Sequence, residues 1–245
     1  SSKSPSQQSP PINTGDSPGD SPGDSPRDSG ISLIYHAGDG PYSVTEEEGS
    51  VGGADVTWFL PQGVSDAPVV LWAHGFARSR TFHADAARHA ASWGLLVVTM
   101  DLPNPYGTAE EHADYLAQTL LPAALARPEA GSKWAFVGHS AGGLATLLAT
   151  AAVGANAWVG LDPVDDSDAN GISAATQVQA PAFRMLGEPG SCNANNNASA
   201  WNLGSNSWTI HITDASHCDF ELPTEGLCTT LCGASDATRQ NTVQE

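Results

Sequence analysis

Residues 135–148 read AFVGHSAGGLATLL: an apolar run, a knot of glycines around one serine, then a second apolar run. Glycine serves where backbone turns sharply or approaches another backbone closely. Gly138, Gly142 and Gly143, with His139 and Ser140 between them, therefore predict a hydroxyl that is presented rather than packed. The pentapeptide 138–142 fits G-x-S-x-G, a pattern that also arises by chance, so its context decides the reading. Before it, Trp134–Val137 predicts a strand; after it, Gly142–Val153 predicts a helix. A strand-to-helix turn of this kind holds a nucleophilic serine in a strained, exposed conformation. It also puts the Ala141 N–H at the start of a helix, aimed at an oxyanion.

Outward from this point, strand-like runs fall at Val56–Leu60, Val69–Ala73, Leu95–Met100, Ala157–Leu161, Ala182–Leu186 and Trp208–Ile212. Helix-like stretches lie between them at Thr81–Trp93 and Ala109–Ala126. Val-, Ile- and Leu-rich strands alternating with helices predict an α/β fold with a mostly parallel central sheet flanked by helices. No helix separates Tyr42–Glu48 from Val56–Leu60, so these two predict an antiparallel hairpin at one edge. The segment Asp162–Ala180 is rich in Asp, Ser, Gly and Asn and predicts a loop or short helix. It is too short for a helical lid domain, and an open site is expected.

The chain has 245 residues, 40% of them hydrophobic, enough for one sizeable core. No apolar run approaches 18 residues, so no transmembrane segment is expected. A net charge of −18, with Lys3 and Lys133 the only lysines, repels phosphate backbones and argues against nucleic acid. Residues 1–30 carry GDSP three times, from Gly15, Gly19 and Gly23, and predict a disordered tether. Residues 31–245 form the expected catalytic domain. A tether at a mature N-terminus is what remains after an export signal or lipid-anchor segment is removed. The expectation is a secreted or surface-tethered, extracytoplasmic bacterial protein. Cys192, Cys218, Cys228 and Cys232 cluster in the last quarter without a CxxC pair, which favours disulfides over zinc.

The remaining candidates follow from the elbow. In LWAHGFARSR, residues 71–80, His74-Gly75 follows an apolar strand; this loop supplies the second oxyanion donor, the Phe76 N–H, whose ring walls the pocket. His139 and Val164 are read as substrate-pocket residues. The base is expected after Ser140 on a loop leaving a late strand, which selects His217, 77 residues on, in ITDASHCDFE. Among the other histidines, His74 belongs to the oxyanion loop. His83, His89 and His112 lie on amphipathic helices, where a surface role is expected. His139 adjoins Ser140 but is read as pointing away from it, His211 sits inside a strand, and His36 precedes the domain proper. Two acids compete. Glu188 lies after the strand Ala182–Leu186, and Asp162 ends Ala157–Leu161, where an acid faces the site of an open parallel sheet. Asp165, Asp166 and Asp168 are read as solvated; a calcium site would need a spaced loop pattern that they lack.

Three segments, GHSAGG at 138–143, GLDPVD at 160–165 and SHCDFE at 216–221, resemble the chlorophyllase family of α/β-hydrolases. Relatives of that family include cutinase-like polyester hydrolases that act on poly(ethylene terephthalate). The likeness spans residues 56–233 and implies an α/β-hydrolase fold and serine ester hydrolysis. It maps the triad acid, the first Asp of a DPV segment, onto Asp162 ahead of Glu188. Phe76 stands where polyester hydrolases carry an aromatic clamp. Val164 stands where they carry tryptophan, and the position near Gly190 carries no acid. The resemblance further implies a disulfide joining the acid and histidine loops, Cys192–Cys218, which leaves Cys228–Cys232. Related folds end in a long helix, whereas here Ser235–Glu245 only begins a helical pattern, as a trimmed chain would. The expected activity is a monomeric serine esterase on short-acyl or polymeric esters, needing no metal or organic cofactor. The rival from another class is a tethered surface protein that keeps the fold for binding.

Overall fold

The edge hairpin comes first in the chain: β1 (Val44–Val51) pairs antiparallel with β2 (Ala54–Pro61). It turns on Gly52 and Gly53, whose φ angles of 60° and 87° suit the two-residue turns that hairpins favour. The structure is a computed structural model and describes residues 38–244. The tether read at residues 1–30, the domain start at residue 31 and His36 lie outside the described residues. The other strands are β3 (Ala67–Ala73), β4 (Leu96–Met100), β5 (Ala130–His139), β6 (Ala157–Leu161), β7 (Ala182–Leu186) and β8 (Ser207–His211). All eight form one sheet in the order β1-β2-β4-β3-β5-β6-β7-β8. β2 also runs antiparallel to β4, and every pairing from β4 through β3 to β8 is parallel.

Helices cover both faces: α1 (Ala84–Ser92), α2 (Ala109–Tyr115), α3 (Leu121–Leu125), α4 (Ala141–Val153), α5 (Asn170–Ala175), α6 (Gly226–Cys232) and α7 (Ala237–Gln244). The strands bury both faces with the period of two that a covered sheet requires. Val69, Leu71 and Ala73 join one core with residues of α2, α3, α4 and α5; Val70 and Val97 join the other with Ala87, Ala91 and Val243 of α1 and α7. The stretch 109–126, expected as one helix, contains a π turn at Leu116–Leu120. Pro122 has no N–H to donate and its ring crowds the preceding turn, so the helix widens there. The segment 162–180 holds only the six-residue α5, with no helical lid. Among the described residues no helix is long and apolar enough to cross a membrane.

Three expectations are corrected. The disulfides are Cys192–Cys232 and Cys218–Cys228, not Cys192–Cys218 and Cys228–Cys232. Cys228 and Cys232 lie four apart on α6, side by side on one face, and each reaches a different loop. His83 and His112 are buried rather than surface residues. The His83 ring stacks on Trp72 with centroids 5.8 Å apart, and His112 Nε2 donates to the Asn104 carbonyl at 2.6 Å. Asp165 is buried, not solvated: its carboxylate accepts from the Gly171 N–H at 2.8 Å and Trp201 Nε1 at 2.7 Å, joining α5 to the segment between β7 and β8.

Candidate active site

Ser140 lies between the end of β5 and the start of α4, with φ 56° and ψ −125°. A serine in that region is strained and persists only where its surroundings hold it. Here its N–H donates to the Leu161 carbonyl at 3.1 Å. Its own carbonyl accepts from the Gly143 and Val164 N–H groups at 2.9 and 3.1 Å. The three glycines are required by close approach. A Cβ on Gly138 would overlap the Gly142 carbonyl, and one on Gly142 would overlap the His74 carbonyl. On Gly143 it would lie 2.6 Å from Pro163 Cβ.

β6 and the loop after β8 bring Asp162 and His217 together. His217 Nδ1 donates to Asp162 Oδ2 at 2.6 Å, and both side chains are buried. Because a carboxylate only accepts, the proton belongs on Nδ1, which leaves Nε2 as the basic nitrogen. Asp162 has φ 41°, turning its side chain under the ends of β6 and β7. The Gly187 N–H donates to Oδ1 at 2.9 Å, and Asn193 Nδ2 donates to Oδ2 at 3.1 Å. Glu188, the competing acid, bonds elsewhere: its Oε1 accepts from the Asp214 N–H at 3.0 Å. Ser140 and His217 line one cleft of about 320 Å³. Among the described residues no hydrogen bond joins their side chains; such serine–imidazole bonds are often long until substrate seats.

The loop after β3 runs against Ser140. A Cβ on Gly75 would sit 3.0 Å from Ser140 Cβ, so glycine lets the Gly75–Phe76 backbone approach the hydroxyl. His74 braces this loop: its Nδ1 donates to the Gly75 carbonyl at 2.7 Å and its Nε2 accepts from the Leu102 N–H at 3.1 Å. Burial lowers the His74 pKa, which keeps the accepting nitrogen free of a proton. The N–H groups of Phe76 and Ala141 donate to no backbone acceptor among the described residues. Both residues, with Val164, line a second cavity of about 330 Å³. Phe76 belongs to both cavities and stands 62% exposed, its ring edge-on to Tyr106 at 5.6 Å.

His139, read as a substrate-pocket residue, lines the cleft, and its ring lies 4.5 Å from that of His217. Its Nε2 donates to the His217 carbonyl at 3.2 Å. Burial, reinforced by the nearby His217 and His83, holds its pKa well below the usual histidine value. Three supporting residues escaped the sequence reading. Asn193 sits in an Asn-rich run with no distinguishing signal. Asp219, fully buried, accepts from Arg239 Nε at 2.7 Å and the Asp236 N–H at 2.7 Å, tying the His217 loop to α7. Glu221 is buried against Arg78, which grips it through two bonds of 2.7 Å. The S-x-x-D spacing of Ser216 and Asp219, where Asp219 Oδ2 accepts from the Ser216 N–H at 2.7 Å at the start of the His217 turn, was the one available signal for Asp219.

The arrangement combines a strained serine, an imidazole with its Nδ1 held by a buried carboxylate, and two backbone N–H groups, on Phe76 and Ala141, that no backbone acceptor among the described residues takes up. No protein-family model matches the chain, and no curated protein matches it.

Proposed function

We propose that the protein is a serine carboxylic-ester hydrolase with an α/β-hydrolase fold. The observation that carries this is the buried 2.6 Å bond from Asp162 to Nδ1 of His217, which lines the same cleft as Ser140. The chain order Ser140, Asp162, His217 and the serine at a strand-to-helix turn are those expected of this class. Ser140 Oγ attacks the ester carbonyl as His217 Nε2 takes its proton, while Asp162 stabilises the imidazolium. The Phe76 and Ala141 N–H groups receive the oxyanion, each donor contributing about 3–4 kcal/mol in the transition state. His217 then protonates the leaving alcohol, and water releases the acyl enzyme by the same route. The likeness to chlorophyllases and cutinase-like hydrolases belongs to this proposal, as does an oxidising, extracytoplasmic location, which the two disulfides favour.

A second reading, hydrolysis of a solid polyester, is favoured by one feature: Phe76 and Tyr106 stand 62% and 73% exposed beside the site, suited to a flat apolar surface. The test is hydrolysis of p-nitrophenyl esters and a polyester film by wild type and Ser140→Ala. Ester turnover that falls at least about 10³-fold in a folded Ser140→Ala supports the hydrolase. Turnover that survives the substitution refutes the role of Ser140, and film erosion by wild type alone supports the second reading.

A further inference from the structure

Two cavities share Gly75 and Phe76: one is lined by Ser140 and His217, the other by Ala141, next to Ser140 in the chain, and not by His217. In acyl transfer the imidazolium gives its Nε2 proton to the leaving alcohol oxygen, while the acyl carbon stays bonded to the serine. The leaving group must therefore lie on the His217 side, and the acyl group on the other. We propose that the cleft of about 320 Å³ is a leaving-group site, and that it selects esters of apolar alcohols, aryl or medium alkyl, against a wall formed by α6. This rests on the ester-hydrolase reading.

The wall is made by Leu227 and Leu231, four apart on α6, both lining the cleft and 59% and 66% exposed. Two leucines left in water beside a nucleophile and its base mark a surface that a ligand covers. The adjacent stripe of the helix, Cys228 and Cys232, carries both disulfides. One runs to Cys218, directly after His217, and the other to Cys192, directly before Asn193. Of the seven residues of α6 only Cys228 is buried, so the helix is held in place by its disulfides more than by packing. Held this way, it keeps its leucines facing the cleft instead of folding them into the core. The charged groups of the cleft are already committed, since Arg78 binds both Glu221 and Glu225. A charged alcohol finds no partner there, whereas an apolar one finds the two leucines and the Phe76 ring.

The experiment uses the full chain and two ester series. One holds the acyl group as acetate and varies the alcohol through ethyl, hexyl and 2-phenylethyl. The other holds p-nitrophenol and lengthens the acyl chain from acetate to octanoate. In Leu231→Asp, and separately in Leu227→Ser, the kcat/KM ratio of 2-phenylethyl over ethyl acetate falls about tenfold. The ratio of octanoate over acetate falls less than about threefold. Both side chains are largely solvent-exposed, and a melting curve confirms that each variant folds. An unchanged alcohol ratio, or an acyl ratio that falls as far, overturns the assignment while leaving the esterase intact. A wild type that turns over no ester overturns both.

Discussion

Behind the site, His83 is buried with neither ring nitrogen hydrogen-bonded. Its ring stacks on Trp72 and meets His139 edge-on at 5.6 Å. Burial, with the nearby His74 and Arg78 adding to it, pushes its pKa down to about 3 from 6.5. In the unfolded chain the imidazole titrates near its ordinary value, so between pH 6.5 and about 3 the unfolded state binds the extra proton. Stability is thus intact above pH 6.5, is lost as the pH falls through that window, and loses nothing more from this group below it. Each pH unit is worth about 1.4 kcal/mol, so at pH 5 His83 destabilises the fold by about 2 kcal/mol. For a domain of this size that is about 4–8 °C in Tm. His83→Phe keeps a flat ring against Trp72 and removes the titration. Calorimetry at pH 7.5 and 5.0 should find the Tm drop smaller in the variant by that amount, whatever constant offset the larger ring introduces. His74 and His139, whose pKa values burial also lowers, leave part of the acid sensitivity in place. Parallel Tm losses in wild type and variant would refute the claim that His83 is buried in its neutral form.

Three further outcomes test the supports of the site. Asn193→Ala removes the side-chain donor to the Asp162 carboxylate, an interaction worth about 1.5–3 kcal/mol for a charged acceptor. Turnover of a p-nitrophenyl ester should fall about 10- to 100-fold, chiefly in kcat; a change confined to KM would show that Asn193 acts elsewhere. Non-reducing peptide mapping should recover Cys192–Cys232 and Cys218–Cys228, and recovery of Cys192–Cys218 would contradict the clamp on α6. Replacing the first pair by serines should lower unfolding stability in a denaturant titration by about 4 kcal/mol, and the second pair by about 3 kcal/mol. The difference follows from the longer loop, 40 residues against 10.

The elbow was legible in 14 contiguous residues because its determinants are local. An apolar strand, glycines where backbones touch and a helix-forming run must all lie within one turn of Ser140. The alternation of apolar runs revealed the class of sheet for the same reason, since a strand covered on both faces is written in its own residues. His217 and Asp162 were placed by the ends of their strands, again a local signal, although only their contact separates Asp162 from Glu188. What the tertiary structure decided is whatever depends on residues distant in the chain. His83 and His112 carry the polar periodicity of surface positions, yet neighbours from other elements bury them. Asn193 reads as one asparagine among several until β7 and the loop after it bring its amide to Asp162. The resemblance pairs Cys192 with Cys218 and leaves Cys228 to Cys232, but a helix holds the last two side by side and aims each at a different loop. Periodicity and spacing encode local backbone shape and the direction of each side chain; which partner waits there is settled only when the sheet brings separate segments together.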